Sequence, residues 1–255
     1  SAGCAIGIGN VWKFPYLCGQ MGGAAFILIY LVFLLIMGVP VMICEFAIGR
    51  GSHFSVAAAF EKLEPEGTRW HISKWIGILG SYLLMMFYTS VGGWMMYYCF
   101  RSIRGDFFGN SAEEVGAKFT KMLADAPNMA FWTILICVIG FAICWFGIQN
   151  GIEKVSKVMM SVLMVLMIIL AVHSVFLKGA GAGIRFYLIP DFRKMAEIGI
   201  GNVIFGAMSQ AFFTLSIGIG AMMIFGSYLE RNRSLAGEAL SITGLDTFVA
   251  LMAGF

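Results

Sequence analysis

The chain opens on an apolar segment that carries helix breakers at its centre. Gly3-Cys4-Ala5-Ile6-Gly7-Ile8-Gly9-Asn10-Val11-Trp12-Lys13-Phe14-Pro15 sets glycines close together and then adds an Asn, a Lys and a Pro. Each interior Gly costs a helix about 1 kcal/mol relative to Ala. In hydrocarbon, backbone freed from helical hydrogen bonds survives only inside protein or beside a water-filled cavity. A second such segment lies far downstream, Phe213-Thr214-Leu215-Ser216-Ile217-Gly218-Ile219-Gly220-Ala221. Two interrupted apolar segments predict a binding site at the bilayer midplane, as secondary transporters have.

Composition fixes the solvent. Of 255 residues, 60% are apolar types and 12% are charged, too little charge to cover a water-soluble surface. Besides the opening segment there are apolar stretches at Ala24–Ile48, Trp75–Phe100, Met129–Ile148, Val158–Leu177, Ile198–Leu229 and Ala239–Phe255. About 20 residues cross roughly 30 Å of hydrocarbon, so most of these are predicted spans. No basic cluster with interleaved aromatics is present, which argues against nucleic acid. Cys4, Cys18, Cys44, Cys99, Cys137 and Cys144 sit in or beside apolar stretches without paired spacing and read as small hydrophobes. The histidines are scattered and form no metal motif. Both ends lie inside apolar segments, which predicts a piece of a longer protein.

Between the spans, 49–74 reads as a polar loop with a short interfacial helix near Ser55–Leu63. The 101–128 stretch contains a helix over Glu113–Ala124, and Lys178–Glu197, rich in Gly, reads as an irregular loop with a small helix after Pro190. The positive-inside rule gives no orientation, because alternate loops carry 8 basic residues on each side. Gly7-Ile8-Gly9 and Gly218-Ile219-Gly220 share a Gly-x-Gly break an odd number of spans apart. That offset predicts an inverted repeat: residues 1–177 as the first copy, 178–197 as the connecting loop, and 198–255 opening the second.

At these residues the chain resembles the neurotransmitter:sodium symporter family, in particular its bacterial amino-acid transporters. The resemblance rests on Gly7 through Tyr16, Gly22-Gly23-Ala24-Ala25-Phe26, Gly38-Val39-Pro40, Glu45 through Gly51, and Gln210 through Ser216. It implies an all-α integral membrane fold of two inverted five-helix repeats with discontinuous first and sixth helices, here reaching into the seventh. It also implies sodium ions as coupled ligands, with no organic cofactor.

The family's site residues map onto this chain one by one. Ala5, Asn10, Thr214 and Asp246 match its first sodium site. Gly3 and Ile6 match the carbonyl half of the second. Cys4, Ala5, Gly7, Ile8, Gly9, Leu84, Tyr88, Val91, Phe213, Thr214, Ser216 and Ile219 match the substrate site. Ile8 and Gly9 amides would seat a carboxylate at a helix N-terminus, and Tyr88 would hydrogen-bond it. Gly7 leaves no acid to pair an amine, so the substrate brings its own carboxylate to the sodium. The mostly apolar lining favours an aliphatic or aromatic side chain, since a charged one would be desolvated without a partner. Lys13 matches a gate residue; Tyr30 and Gln210 match the anion-site neighbourhood.

The chain departs from the family in two places. Asp246 stands where an Asn is usual, while Ala250 stands where some chloride-independent members have a Glu. The fixed negative charge is therefore expected one turn earlier, giving chloride-independent transport. Ser161 stands where many bacterial relatives have a Pro in the fifth span.

Together these features predict sodium-coupled symport of a hydrophobic L-amino acid across a bacterial inner membrane. The partners are the amino acid and the bilayer; oligomeric state is not encoded legibly. The alternative is a non-transporting amino-acid receptor built on the same pocket. An enzyme is disfavoured, because no Ser/His/Asp set, facing carboxylates or metal motif is present.

Overall fold

The computed structural model describes residues 6–255. All regular structure in them is helical. Helix α1 begins as a π-helical turn, Gly9–Lys13, and continues as Phe14–Gln20. Helix α2 spans Ala24–Ser52, with a second π turn at Leu34–Gly38. Both π turns precede a proline, Pro15 and Pro40. In each, the residue just before the proline closes the wide turn: Phe14 N–H bonds to the Gly9 carbonyl and Val39 N–H to that of Leu34.

There follow α3 (Val56–Leu63), α4 (Trp70–Ile103), α5 (Ala112–Ala124), α6 (Ala126–Trp145), a π turn at Ile148–Glu153, and α7 (Lys154–Val175). The remaining helices are α8 (Ala180–Leu188), α9 (Phe192–Ile198), α10 (Ile200–Leu215), α11 (Ala221–Ser227) and α12 (Leu235–Ala253). Among the described residues α2, α4, α6, α7 and α12 are long and apolar enough to cross a bilayer. The segment Ile198–Leu229 is interrupted as expected, forming two helices, α10 and α11, parted at 216–220.

One local expectation is refined. The Gly-rich stretch after Lys178 is not irregular: α8 forms there, entered through Gly179 at φ 94° and held by buried Tyr187, which donates to the Leu251 carbonyl at 2.9 Å. Gly181 and Gly183 lower its propensity, and this tertiary anchor outweighs them. Helix α5 ends at Ala124, ahead of Pro127, as expected. Pro127 sits in the first turn of α6, where its missing N–H costs nothing, and Asp125 caps that turn by accepting from Asn128 N–H.

The chain divides into two compact units. The first comprises Ser1–Ile78 and Ser156–Phe255. Its core joins α1, α2, α10, α11 and α12 through Phe14, Phe26, Tyr30, Met42, Phe46, Leu215 and Met222, all buried. Close approach between α2 and α11 is written in glycine: a Cβ on Gly49 would strike the Met223 carbonyl, and one on Gly226 would lie 2.7 Å from the Phe46 carbonyl. Small residues that let helix backbones approach are the usual packing device in lipid, where apolar burial between helices gains little.

The second unit is Leu79–Val155. There Gly93 on α4 meets Thr133 on α6, and an aromatic cluster forms around Tyr97, Trp132 and Phe100. Ser111 and Glu114 form a capping box at the start of α5. Helix α7 runs unbroken past Ser161, whose hydroxyl donates back to the Lys157 carbonyl at 2.8 Å. Of the cysteines, Cys18 is buried as expected, while Cys44, Cys99 and Cys144 are exposed on apolar helices; all are free thiols.

Candidate functional site

The site is built where α1 starts. Ile6 and Gly7 are not helical, and the first turn follows directly. The Gly7 carbonyl accepts from the N–H of Asn10 (3.1 Å) and of Val11 (3.3 Å), and Gly7 N–H donates to Asn10 Oδ1 at 3.0 Å. Among the described residues nothing lies within 4 Å of where a Gly7 Cβ would stand. Two residues on, the packing is tight. A Cβ on Gly9 would come within 3.2 Å of the Phe213 ring and 3.5 Å of Thr214 Cα, while Gln210 Nε2 donates to the Gly9 carbonyl at 2.9 Å. Glycine at 9 is therefore what lets α1 and α10 touch.

Asp246, on α12, is fully buried beside this contact. Asn10 Nδ2 donates to its Oδ1 (2.8 Å) and to its backbone carbonyl (3.0 Å), and Thr214 Oγ1 donates to its Oδ2 (3.0 Å). Among the described residues no Lys, Arg or His pairs with it. A buried carboxylate supported only by neutral donors lacks a counter-charge, which is costly unless a cation or a proton supplies it. The donor set nearby is hard oxygen: carboxylate, hydroxyl, peptide carbonyls and an amide. Among the described residues no cluster of three His, Cys, Asp or Glu side chains forms. One carboxylate among neutral oxygens suits a hard monovalent cation better than a transition metal. Asn10 turns its nitrogen toward Asp246 and its oxygen toward Gly7, so its direct neighbour at the carboxylate is the amide N–H.

The second break begins where α10 ends. Ser216 takes a left-handed conformation (φ 51°), followed by Gly218 (φ 89°) and Gly220 (φ 77°), before α11 starts at Ala221. The amides freed there converge on one side chain. Buried Glu45 of α2 accepts from Gly218 N–H (2.7 Å) and Gly220 N–H (3.3 Å) through Oε1, and from Met222 N–H (3.0 Å) through Oε2. A carboxylate thus supplies at one stroke the acceptors that the broken helix lost.

A side chain other than Gly in the left-handed region costs roughly 1–2 kcal/mol, most for β-branched residues. Ser216→Val is accordingly expected to lower the melting temperature of the detergent-solubilised protein, whereas Ser216→Gly should not. Equal melting of the two variants would show that Ser216 carries no strain.

The remaining expected site residues fall as follows. Lys13 Nζ stands 3.6 Å above the centroid of the Phe213 ring, a cation–π contact that closes one side of the Gly9–Phe213 junction. The Tyr30 hydroxyl is buried close to Thr214 and Asp246, and neither it nor Gln210 Oε1 has a hydrogen-bond partner among the described residues. Ile219 follows Gly218 in the break, and its carbonyl lies 3.0 Å from where a Gly77 Cβ would stand. Ile8 caps the start of α1, and Ile6 is buried just before it. Leu84, Tyr88 and Val91 belong to the second unit, where spacings of four and three residues put them on one face of α4. Gly3, Cys4 and Ala5 lie outside the described residues.

The first unit thus gathers Gly9, Asn10, Lys13, Gln210, Phe213, Thr214 and Asp246 around one junction. Sequence reasoning placed Glu45 only at the end of its span and missed its part in the second break. Its one signal was a carboxylate inside an apolar run, which asks for a partner without naming it.

Comparison with known proteins agrees with this geometry. The model of the sodium:neurotransmitter symporter family matches residues 1–115 and 106–255. The uncharacterized sodium-dependent transporter YhdH of Bacillus subtilis is 35% identical over 259 residues, covering 100% of this chain and 55% of that protein. The uncharacterized sodium-dependent transporter MJ1319 of Methanocaldococcus jannaschii is 34% identical over 269 residues, covering 100% of this chain and 52% of its own length. The crystal structure of MhsT in complex with L-phenylalanine superposes with a TM-score of 0.89 at 39% identity, over 99% of this chain and 56% of that one. The chain spans about half the length of the curated relatives it matches. Its helices, the interruption at 216–220 and these matches agree: the chain belongs to the sodium:neurotransmitter symporter family, a family of multi-pass helical membrane transporters and not of enzymes.

Proposed function

We propose that the protein couples inward sodium flow to uptake of a hydrophobic L-amino acid by alternating access, without chloride. The observation that carries this is Asp246, a buried carboxylate with neutral donors only, set against the start of α1 and the end of α10. Sodium there would be held by Asp246 and Thr214, with Asn10 and the Ala5 carbonyl completing the shell. A second sodium would begin from the carbonyls of Gly3 and Ile6. The substrate carboxylate would lie at the amides of Ile8 and Gly9, beside Gly7. Its side chain would meet Cys4, Phe213, Ser216 and Ile219. Lys13 over Phe213 would gate it. L-Phenylalanine in the related MhsT structure supports the apolar substrate class. Because Asp246 already supplies fixed negative charge beside Tyr30 and Gln210, a chloride ion there would be redundant and repelled. Residues 1–177 and 198–255 would act as one inverted repeat and the opening of the other, in the inner membrane of a bacterium.

The test is radiolabelled uptake by the full-length protein in proteoliposomes, using Phe, Leu, Lys and Glu, with sodium replaced by choline and chloride by gluconate. Sodium-dependent accumulation of Phe or Leu that ignores chloride is expected. Accumulation without sodium would overturn coupling. Sodium-dependent binding without accumulation would mark a receptor.

A further inference from the structure

A cavity of about 670 Å³ in the first unit is lined by none of the residues gathered around Asp246 and Glu45. Its walls come from α8, from the start of α9, and from Gly22 in the turn between α1 and α2. Three cations line it, Arg185, Arg193 and Lys194, against one acid, Asp191. That acid is already engaged, since Asp191 Oδ1 accepts from the backbone N–H of Arg193 (3.0 Å) and of Lys194 (3.2 Å). Among the described residues no carboxylate forms an ion pair with any of the three cations. Lys194 is steadied over the Phe186 ring, 5.2 Å from its centroid.

The floor of this cavity is tightly packed. Gly22 and Gly23 are both at positive φ (91° and 64°), and a Cβ on Gly23 would collide with the Phe186 carbonyl. The loop helices therefore rest directly on the α1–α2 turn, and a ligand in the cavity would touch both. Two guanidinium forks and an ammonium lining one cavity, with a single acid already engaged by backbone N–H groups, suit an oxyanion with several oxygens, which arginine binds bidentately and lysine as a point charge. The position, at the end of the apolar spans, is also that of lipid headgroups.

We propose that this cavity is a binding site for a phosphate group, free or on an anionic lipid, held by Arg185, Arg193 and Lys194. The site is distinct from the sodium and substrate junction and does not depend on the transport assignment.

The experiment uses the full-length protein in nanodiscs of neutral phosphatidylcholine. One arm titrates inorganic pyrophosphate at low ionic strength; the other replaces part of the lipid with phosphatidylglycerol. Binding is read by melting temperature and by native mass spectrometry. At least one probe is expected to bind and raise the melting temperature. Response to pyrophosphate identifies a soluble phosphate as the occupant, and response to phosphatidylglycerol alone identifies a headgroup. Arg185→Gln with Arg193→Gln should weaken the responding probe by roughly tenfold or more for each fork removed. Their melting temperature without probe reports whether the variant folds. Lys178→Gln removes the same kind of charge from the same loop outside this cavity and should leave binding unchanged. No response to either probe, binding unaltered in the folded double variant, or equal weakening by Lys178→Gln would each overturn the proposal.

Discussion

Asp246→Ala is expected to lower sodium affinity by about two to nearly four orders of magnitude, about 3–5 kcal/mol for stripping one partner from a buried charge pair. The size follows from burial and from the partners. Asp246 is fully buried, and Asn10 and Thr214 bring it dipoles but no charge. A cation bound there would lose the formal negative charge that α12 supplies. The Ala variant also strands the Asn10 amide and the Thr214 hydroxyl, so Asp246→Asn is the sharper companion. An Asn oxygen can still accept from Asn10 Nδ2, which keeps the fold while removing the charge. Sodium titration of intrinsic tryptophan fluorescence should then show weak binding in a protein that melts normally. In uptake, Asp246→Asn should make transport depend on chloride, because an anion now has to supply what the carboxylate did. Wild-type sodium affinity in a well-folded Asn variant would remove Asp246 from the cation site. If wild-type uptake needs chloride, and that need survives Asp246→Asn unchanged, the fixed-charge reading fails.

Glu45→Ala should be the most damaging substitution for the fold. Three amides, of Gly218, Gly220 and Met222, would lose their acceptor inside the protein. An unsatisfied buried donor costs about 1–3 kcal/mol, so the total is several kcal/mol even after local rearrangement. Glu45→Gln leaves one acceptor oxygen but turns an NH2 toward an N–H. It is expected to fall between wild type and Ala. The readouts are melting temperature and substrate affinity: both should fall for Ala, because the break it organises contains Ser216 and Ile219. A Glu45→Ala protein with normal melting and normal substrate binding would show that water or neighbouring backbone satisfies those amides as well.

Much of this was legible in the chain because membrane physics is strict. Apolar runs with few charges have to be helices, so α2, α4, α6, α7 and α12 follow from length and composition alone. The second break was legible for the same reason: Gly218 and Gly220 take conformations that glycine alone adopts easily, and they stand in an apolar run. The glycines before α8 misled, because local propensity predicts a loop there and the hydrogen bond from Tyr187 to α12 overrules it.

Hydropathy, glycine and proline act within a few residues of themselves, so the candidate spans and the interruption at 216–220 are readable from residue order alone. At 10, 214 and 246 the chain carries polar types that lipid does not tolerate without a purpose, and the family resemblance suggested a cation site for them. Which partners those groups meet is settled by packing. Asn10 meets Asp246 across 236 positions and Glu45 meets Gly218 across 173. Pairings at that range come from helix packing. No local rule ranks one buried acceptor above another; that ordering exists only once the helices have closed around them.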